Sequence, residues 1–233
     1  MFQFKHFSVS DEHCTMKVGT DGVLLGAWAN VQGVKTILDI GTGCGLIALM
    51  LAQRSDKTNI DAVEIDHDSA MQARQNVENS PWQDRIKIHH ASFREFSEER
   101  NEKYDLIVSN PPFFENSLKP AMKHKNISKH TGHLTFEELL FHTSHMMHNN
   151  SRFTLILPAD QSTNFISKAL IEDLYCTFEL KVIPREGKTP KRCILEFTKQ
   201  RQKKAEAELT IKNKDGSWTE EYQNLTGDFY LGF

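Results

Sequence analysis

The sequence predicts an α/β fold: a doubly wound, mostly parallel sheet of seven strands, helices on both faces, and an antiparallel hairpin near the C-terminus. Three observations predict it. Short runs rich in β-branched residues alternate with longer amphipathic runs, the rhythm of βαβ units. Residues 36–40 form an apolar strand that runs into Gly41-Thr42-Gly43-Cys44-Gly45 and then into an apolar helix over 46–54. Residues 178–183 and 192–199 are two strands joined by a segment holding Pro184, Gly187 and Pro190, so they pair as a hairpin.

A chain of 233 residues fits one such domain with appendages. The longest apolar run, 46–52, is too short to cross a bilayer, and the alternating N-terminus lacks a signal-peptide core, so the cytoplasm is the expected compartment. Cys14, Cys44, Cys176 and Cys193 form no Cys-x-x-Cys pair, which argues against a zinc site and a disulfide framework. His142, His145 and His148 recur every third residue on an expected helix over 134–148, but no carboxylate completes a ligand set. A polar helix flank explains them, and no metal is expected.

In chain order, residues 2–9 alternate and read as a strand or hairpin arm. Thr20 or Asp21 is expected to cap the helix that follows, and its N–H groups, with Lys17 nearby, suit a carboxylate. After the glycine turn come a strand over 60–66, a helix over 67–79 capped by Asp66, and a third strand over 86–92. A fourth strand covers 104–108, and residues 115–132 form a long basic loop. Thr135, with Glu138, caps the helix that follows it; a fifth strand spans 152–157, then a helix 160–174, then the hairpin. Residues 208–212 add an edge strand, and the aromatic tail 215–233 has no clear assignment. One domain is expected, with an N-terminal hairpin and helix over 1–35, a core over 36–200 and an extension over 201–233.

The chemistry gathers at strand ends. Glycines let the backbone approach a ligand and set a helix N-terminus beneath it. The spacing Gly-x-Gly-x-Gly departs from the Gly-x-Gly-x-x-Gly of pyrophosphate binding, which favours S-adenosylmethionine over a dinucleotide. Glu64, about twenty residues on, sits where ribose hydroxyls are gripped. Residues around Ala91, Ser92 and Phe93 lie where an adenine would rest. The fourth strand ends in Ser109-Asn110-Pro111-Pro112-Phe113, at the ligand edge of an open sheet. The Asn110 side-chain oxygen and the Pro111 carbonyl suit the two N–H bonds of a planar, conjugated amine. Accepting both favours pyramidal nitrogen and stabilises the positive charge that develops on methylation. Pro111 and Pro112 stiffen the turn, and Phe113 suits stacking on a flat target.

This pattern resembles the class I S-adenosylmethionine-dependent methyltransferases, and the Asn-Pro-Pro-Phe turn resembles their amino-methyltransferase branch. Residues 4–7, 16–28 and 39–48, with the tail through Asp228-Phe229-Tyr230, are similar to bacterial enzymes acting on the exocyclic amine of the adenine 3′ of the valine tRNA anticodon. The resemblance implies a Rossmann-like methyltransferase domain, its N-terminal part covering the cofactor. The cofactor set it implies is Lys17, Thr20, Asp39, Gly41, Thr42, Gly43, Gly45, Glu64, Ser92 and Asn110. At Ser92 the sequence departs from the aspartate that many relatives use for the cofactor's adenine amine. Asn110, Pro111, Pro112 and Phe113 form the implied catalytic turn.

Net charge is −3, so the whole surface is no general polyanion binder. However, residues 119–130 hold Lys119, Lys123, Lys125, Lys129, His124 and His130 without an acid, directly after the catalytic turn. Phe113, Lys123, Lys125, Lys129 and His130 are therefore the expected substrate contacts, with a tRNA anticodon loop as partner. A second basic run, 185–204, reads as a solvated loop or edge strand. Rival readings keep the chemistry and change the target, to a ribosomal RNA guanine or a release-factor glutamine, or abandon catalysis for a nucleotide- or RNA-binding module or an NAD oxidoreductase. Release-factor enzymes usually carry an N-terminal helical domain, whereas about 35 residues precede the first core strand here. The glycine spacing opposes NAD, and the intact Asn-Pro-Pro-Phe opposes a module without catalysis.

Overall fold

A computed structural model describes residues 1–112 and 134–232. A small hairpin, β1 (Phe2–Gln3) with β2 (Ser8–Val9), opens the chain, and α1 (Thr20–Trp28) follows. The core then runs β3 (Thr36–Ile40), α2 (Leu46–Gln53), β4 (Asn59–Glu64), α3 (His67–Glu78), β5 (Ile86–His90), α4 (Phe93–Glu98) and β6 (Tyr104–Ser109). Beyond residue 133 come α5 (Phe136–His145), β7 (Met147–Pro158), α6 (Ser162–Ala169), β8 (Tyr175–Ile183), β9 (Arg192–Thr198), β10 (Ala205–Thr210) and α7 (Glu220–Thr226).

Among the described residues, the large sheet has eight strands in the order β10-β8-β9-β7-β6-β3-β4-β5. Strands β5, β4, β3, β6 and β7 are parallel, and β9 enters antiparallel between β7 and β8. The expected seven strands are all present. The eighth, β10, is the anticipated edge strand, three residues earlier than expected and parallel to β8. Alternation along the strands sends side chains to two cores. Ile37, Leu106 and Val108 pack with α1, α2, α3 and α7; Leu38, Ile40 and Ile107 pack with α4, α5 and α6.

Sequence order reverses between β3 and β6, whose neighbours lie on opposite sides. Their carboxyl ends therefore flank a topological switch point, where such folds bind ligands. Helix α1 reaches the sheet by packing closely on α2. A Cβ on Gly26 would lie 2.8 Å from Met50 Sδ and 2.9 Å from Met50 Cβ, and one on Gly22 3.0 Å from Leu46 Cδ2. The two ends of the chain meet: Lys5 N–H donates to the Phe229 carbonyl at 2.8 Å, and Phe4 stacks between Phe7 and Tyr230.

Several local expectations are corrected. Gly19, not Thr20 or Asp21, is the N-cap of α1, with extended backbone and no side-chain cap. The helix expected over 160–174 is α6 flanked by 3-10 turns at Ala159–Gln161 and Leu170–Glu172. The helix over 134–148 stops at His145, so His148 lies in β7, while His142 shares its Nδ1 with Ser97 Oγ at 2.6 Å. The tail, left open by the sequence, forms α7, capped by Thr219.

Candidate active site

The site is built on the carboxyl ends of β3, β4 and β6. The turn after β3 folds on three left-handed glycines, with φ of 70° at Gly41, 57° at Gly43 and 84° at Gly45. Among the described residues, added Cβ atoms at Gly41 and Gly43 would meet nothing within 4 Å, so both face open space there. The N–H groups of Gly41 and Thr42 donate to the Val63 carbonyl at 2.9 and 3.1 Å, which fastens the turn to the end of β4.

Glu64 closes the same corner. Its Oε2 accepts from Gly43 N–H at 2.8 Å and its Oε1 from Asp66 N–H at 2.9 Å. The carboxylate is thereby fixed in place, and each oxygen retains lone-pair capacity for a ligand. Asp66 accepts from Ser69 N–H at 2.9 Å as the cap of α3, as its position suggested.

Asp39 is fully buried. Its Oδ2 accepts from the Thr42 hydroxyl at 2.6 Å, and Oδ1 has no hydrogen-bond partner among the described residues. Burial pushes its carboxyl up to about 7, against the Thr42 hydroxyl and the Ala48 N–H at the start of α2.

At the switch point, Ser109 Oγ donates to the Ile40 carbonyl at 3.0 Å and locks the end of β6 beside the glycine turn. The next residue, Asn110, has a buried Oδ1 that accepts no hydrogen bond from the described residues. Pro111 behind it is buried and Pro112 exposed. A buried acceptor at a strand end without a donor is what an amine-binding site requires before its ligand arrives.

The N-terminal segment reaches this corner through Asn76 of α3. Its Nδ2 donates to the carbonyls of Ser10 and Cys44, both at 2.8 Å, and its Oδ1 accepts from Ser10 N–H at 2.9 Å. Lys17 donates to the carbonyls of Asp11 and Glu12 at 2.6 and 3.1 Å, and Thr20 lies exposed at the first position of α1. Asp21 pairs with Arg192 at 2.6 Å, which ties the start of α1 to the start of β9.

Asp39, Gly41, Thr42, Gly43, Gly45, Glu64 and Asn110 thus share one edge of the sheet, with Lys17 and Thr20 brought alongside. Ser92 is used differently. Its hydroxyl donates to Glu95 Oε2 at 2.7 Å and accepts from Glu95 N–H at 3.2 Å, capping α4. Phe113, Lys123, Lys125, Lys129 and His130 lie outside the described residues. Sequence reasoning gave Ser109 no role of its own and missed Asn76 and the Asp21–Arg192 pair. Only long-range contacts reveal the last two, whereas a serine directly before Asn-Pro-Pro at a strand end was visible. Among the described residues, no group of three His, Cys, Asp or Glu side chains is arranged to hold a metal ion.

Comparison with known proteins agrees with this architecture. The methyltransferase small domain family matches residues 17–151. A curated tRNA1(Val) (adenine(37)-N6)-methyltransferase of Trichodesmium erythraeum is 45% identical over 100% of this chain and 98% of its own. The chain belongs to the tRNA1(Val) (adenine(37)-N6)-methyltransferase family. Family members in Bacteroides thetaiotaomicron and Photorhabdus laumondii are 45% and 42% identical, each over 99% of this chain and over 97% and 95% of their own. Among solved structures, a protein described as a predicted O-methyltransferase from Agrobacterium tumefaciens superposes with a TM-score of 0.72 at 18% identity, covering 90% of this chain and 96% of its own. A ribosomal protein L11 methylase from Lactobacillus delbrueckii does so with a TM-score of 0.54 at 16% identity, over 77% of both chains. These two likenesses concern the fold.

Proposed function

We propose that this chain transfers a methyl group from S-adenosylmethionine to the N6 amine of the adenine 3′ of the anticodon, position 37, in a valine tRNA, in the cytoplasm. The observation that carries the proposal is Asn110: a buried acceptor oxygen, unpartnered among the described residues, beside a glycine turn open to a ligand. The residues fit the cofactor. Gly41 and Gly43 leave room for it, Lys17 and the first N–H groups of α1 suit its carboxylate, and the fixed Glu64 carboxylate suits ribose hydroxyls. When bound, S-adenosylmethionine supplies an electrophilic methyl group.

The chain's own part is electrostatic. Asn110 Oδ1 and the Pro111 carbonyl accept the two N–H bonds of the target amine and hold its lone pair toward the donor. As positive charge grows on nitrogen, two fixed acceptor dipoles stabilise it. No general base is needed before transfer, because the methylated ammonium is strongly acidic and sheds its proton afterwards. The target base must leave its stack, which costs least in a loop. The basic segment 119–130 supplies phosphate contacts, and Phe113 a stacking face.

Total tRNA incubated with labelled cofactor tests this reading, the labelled nucleotide being mapped to position 37. Label on another base, or on a release-factor glutamine and not on tRNA, overturns it. Asn110→Ala is expected to bind S-adenosylhomocysteine normally and to lose about 100-fold in single-turnover rate, like the loss of one oxyanion-hole donor. A near-normal rate removes Asn110 from the chemistry.

A further inference from the structure

The strand order carries the second basic run to the same edge as Asn110. Strand β9 begins opposite the end of β7, with Arg192 paired to Pro158, and β8 ends beside it. The 184–191 connection therefore sits on the carboxyl rim. Strand β10 also ends there, Thr210 opposite Ile183, and the hairpin bridged by Lys212 and Trp218 lies alongside, joined by a bond from Glu186 N–H to the Lys212 carbonyl at 2.8 Å. Three strand spacings, about 14 Å, separate β8 from β6 along the rim.

This part of the rim is cationic and exposed. Arg185, Lys188 and Lys191 are exposed, and no ion pair involves them among the described residues. Lys212 stands over the Trp218 ring with its nitrogen 4.3 Å from the centroid. The two acids of these loops are occupied: Glu186 faces Lys214 at 3.6 Å, and Asp215 accepts from Ser217 N–H at 2.9 Å. Cations on a hairpin three strands along the rim from the amine acceptor suit a polyanion, not the base being modified.

We infer that Arg185, Lys188 and Lys191, backed by Lys212, form a docking surface for the phosphate backbone of the stem that carries the target loop. The inference rests on the RNA-methyltransferase reading above. Base-paired RNA hides its edges in a deep, narrow groove, so contacts here read backbone and shape rather than sequence.

The test is binding of a fluorescent valine anticodon hairpin to the full chain, by anisotropy, between 50 and 200 mM salt. Combined Arg185→Ala, Lys188→Ala and Lys191→Ala substitution is expected to weaken binding at least tenfold at the low-salt end. The log–log salt slope is expected to become shallower by about 2–3, near 0.9 for each lost phosphate contact. Swapping base pairs in the stem while keeping it paired should leave the wild-type affinity unchanged. S-adenosylhomocysteine affinity, measured in parallel, should be unaltered and reports an intact fold. A triple variant with wild-type affinity and slope, or a stem whose sequence matters, overturns the docking surface. Failure of the functional reading shows separately, as absence of methyl transfer by the wild-type chain, whichever way the binding falls.

Discussion

Asp39 is the residue where site and stability conflict. Burial raises its carboxyl to about 7, and the Glu64 charge adds to the rise, while the Thr42 hydroxyl and the Ala48 N–H oppose it. The unfolded chain releases this proton near pH 3.8, the folded chain near 7. Between those values the unfolded state binds fewer protons, so stability falls as pH rises through the window and is level above it. From pH 5 to 7.5 the loss from this group is on the order of 2–3 kcal/mol. Asp39→Asn should remove that slope, and urea midpoints of both chains at the two pH values would show it. Parallel pH profiles would mean that Asp39 is ionised in the fold throughout. At this scale the sequence was informative wherever a residue acts through its neighbours in the chain. Gly41, Gly43, Gly45 and Asn110 sit at strand ends by local pattern. Ser92 shows the opposite case. The string Ser92-Phe93-Arg94-Glu95 is a capping box, and reading it as one would have revealed both α4 and the occupation of that hydroxyl.

Two kinds of glycine distinguish the elements around the site. Those of the turn need left-handed backbone, whereas Gly22 and Gly26 are helical and needed for approach: they let α1 lie directly on α2. Helix propensity and packing make opposite forecasts for Gly26→Ala. Propensity favours alanine by about 1 kcal/mol. Packing opposes it, because the new Cβ would meet Met50 Cβ, which cannot swing away as the sulfur can. Overpacking of this kind typically costs about 1–3 kcal/mol; less the propensity gain, a net loss of up to about 2 kcal/mol remains, so the variant should melt up to several degrees below wild type. A higher melting temperature would show that α1 shifts freely on α2. The helix α1 was legible as an apolar run, but its cap was misplaced because Asp21 looks like a capping residue and is used instead to hold Arg192. Pairing across the sheet decided that role. The hairpin of β8 and β9 was legible because Pro and Gly punctuate it, whereas β10 was placed late: its first residues, Ala205-Glu206-Ala207, have little β-propensity and are held by pairing with β8.

What no local pattern could show is how the two ends of the chain cooperate. Phe229, 1% exposed, belongs to the same core as Phe4, Phe7 and Tyr222. Its carbonyl accepts from Lys5 N–H, while Lys5 Nζ donates to the Gly227 carbonyl at 2.6 Å and Gln53 Nε2 to that of Asp228 at 3.0 Å. The tail is thus the seat of the N-terminal hairpin. From that hairpin the chain continues to Ser10, held by Asn76 to the Cys44 carbonyl, and on to Lys17. Loosening the tail should therefore reach the glycine turn through the N-terminal segment. Phe229→Ala removes a buried aromatic ring, a loss of about 3–5 kcal/mol, which lowers the melting temperature of a chain this size by roughly 10 °C. The variant is also expected to bind S-adenosylhomocysteine more weakly at temperatures where it is fully folded. Asn76→Ala, which cuts the link nearer the turn, should weaken that binding with a smaller loss of stability. Calorimetric titration of the three chains at 15 °C, with melting curves alongside, separates the outcomes. A destabilised Phe229→Ala chain with unchanged affinity would confine the tail to holding the fold.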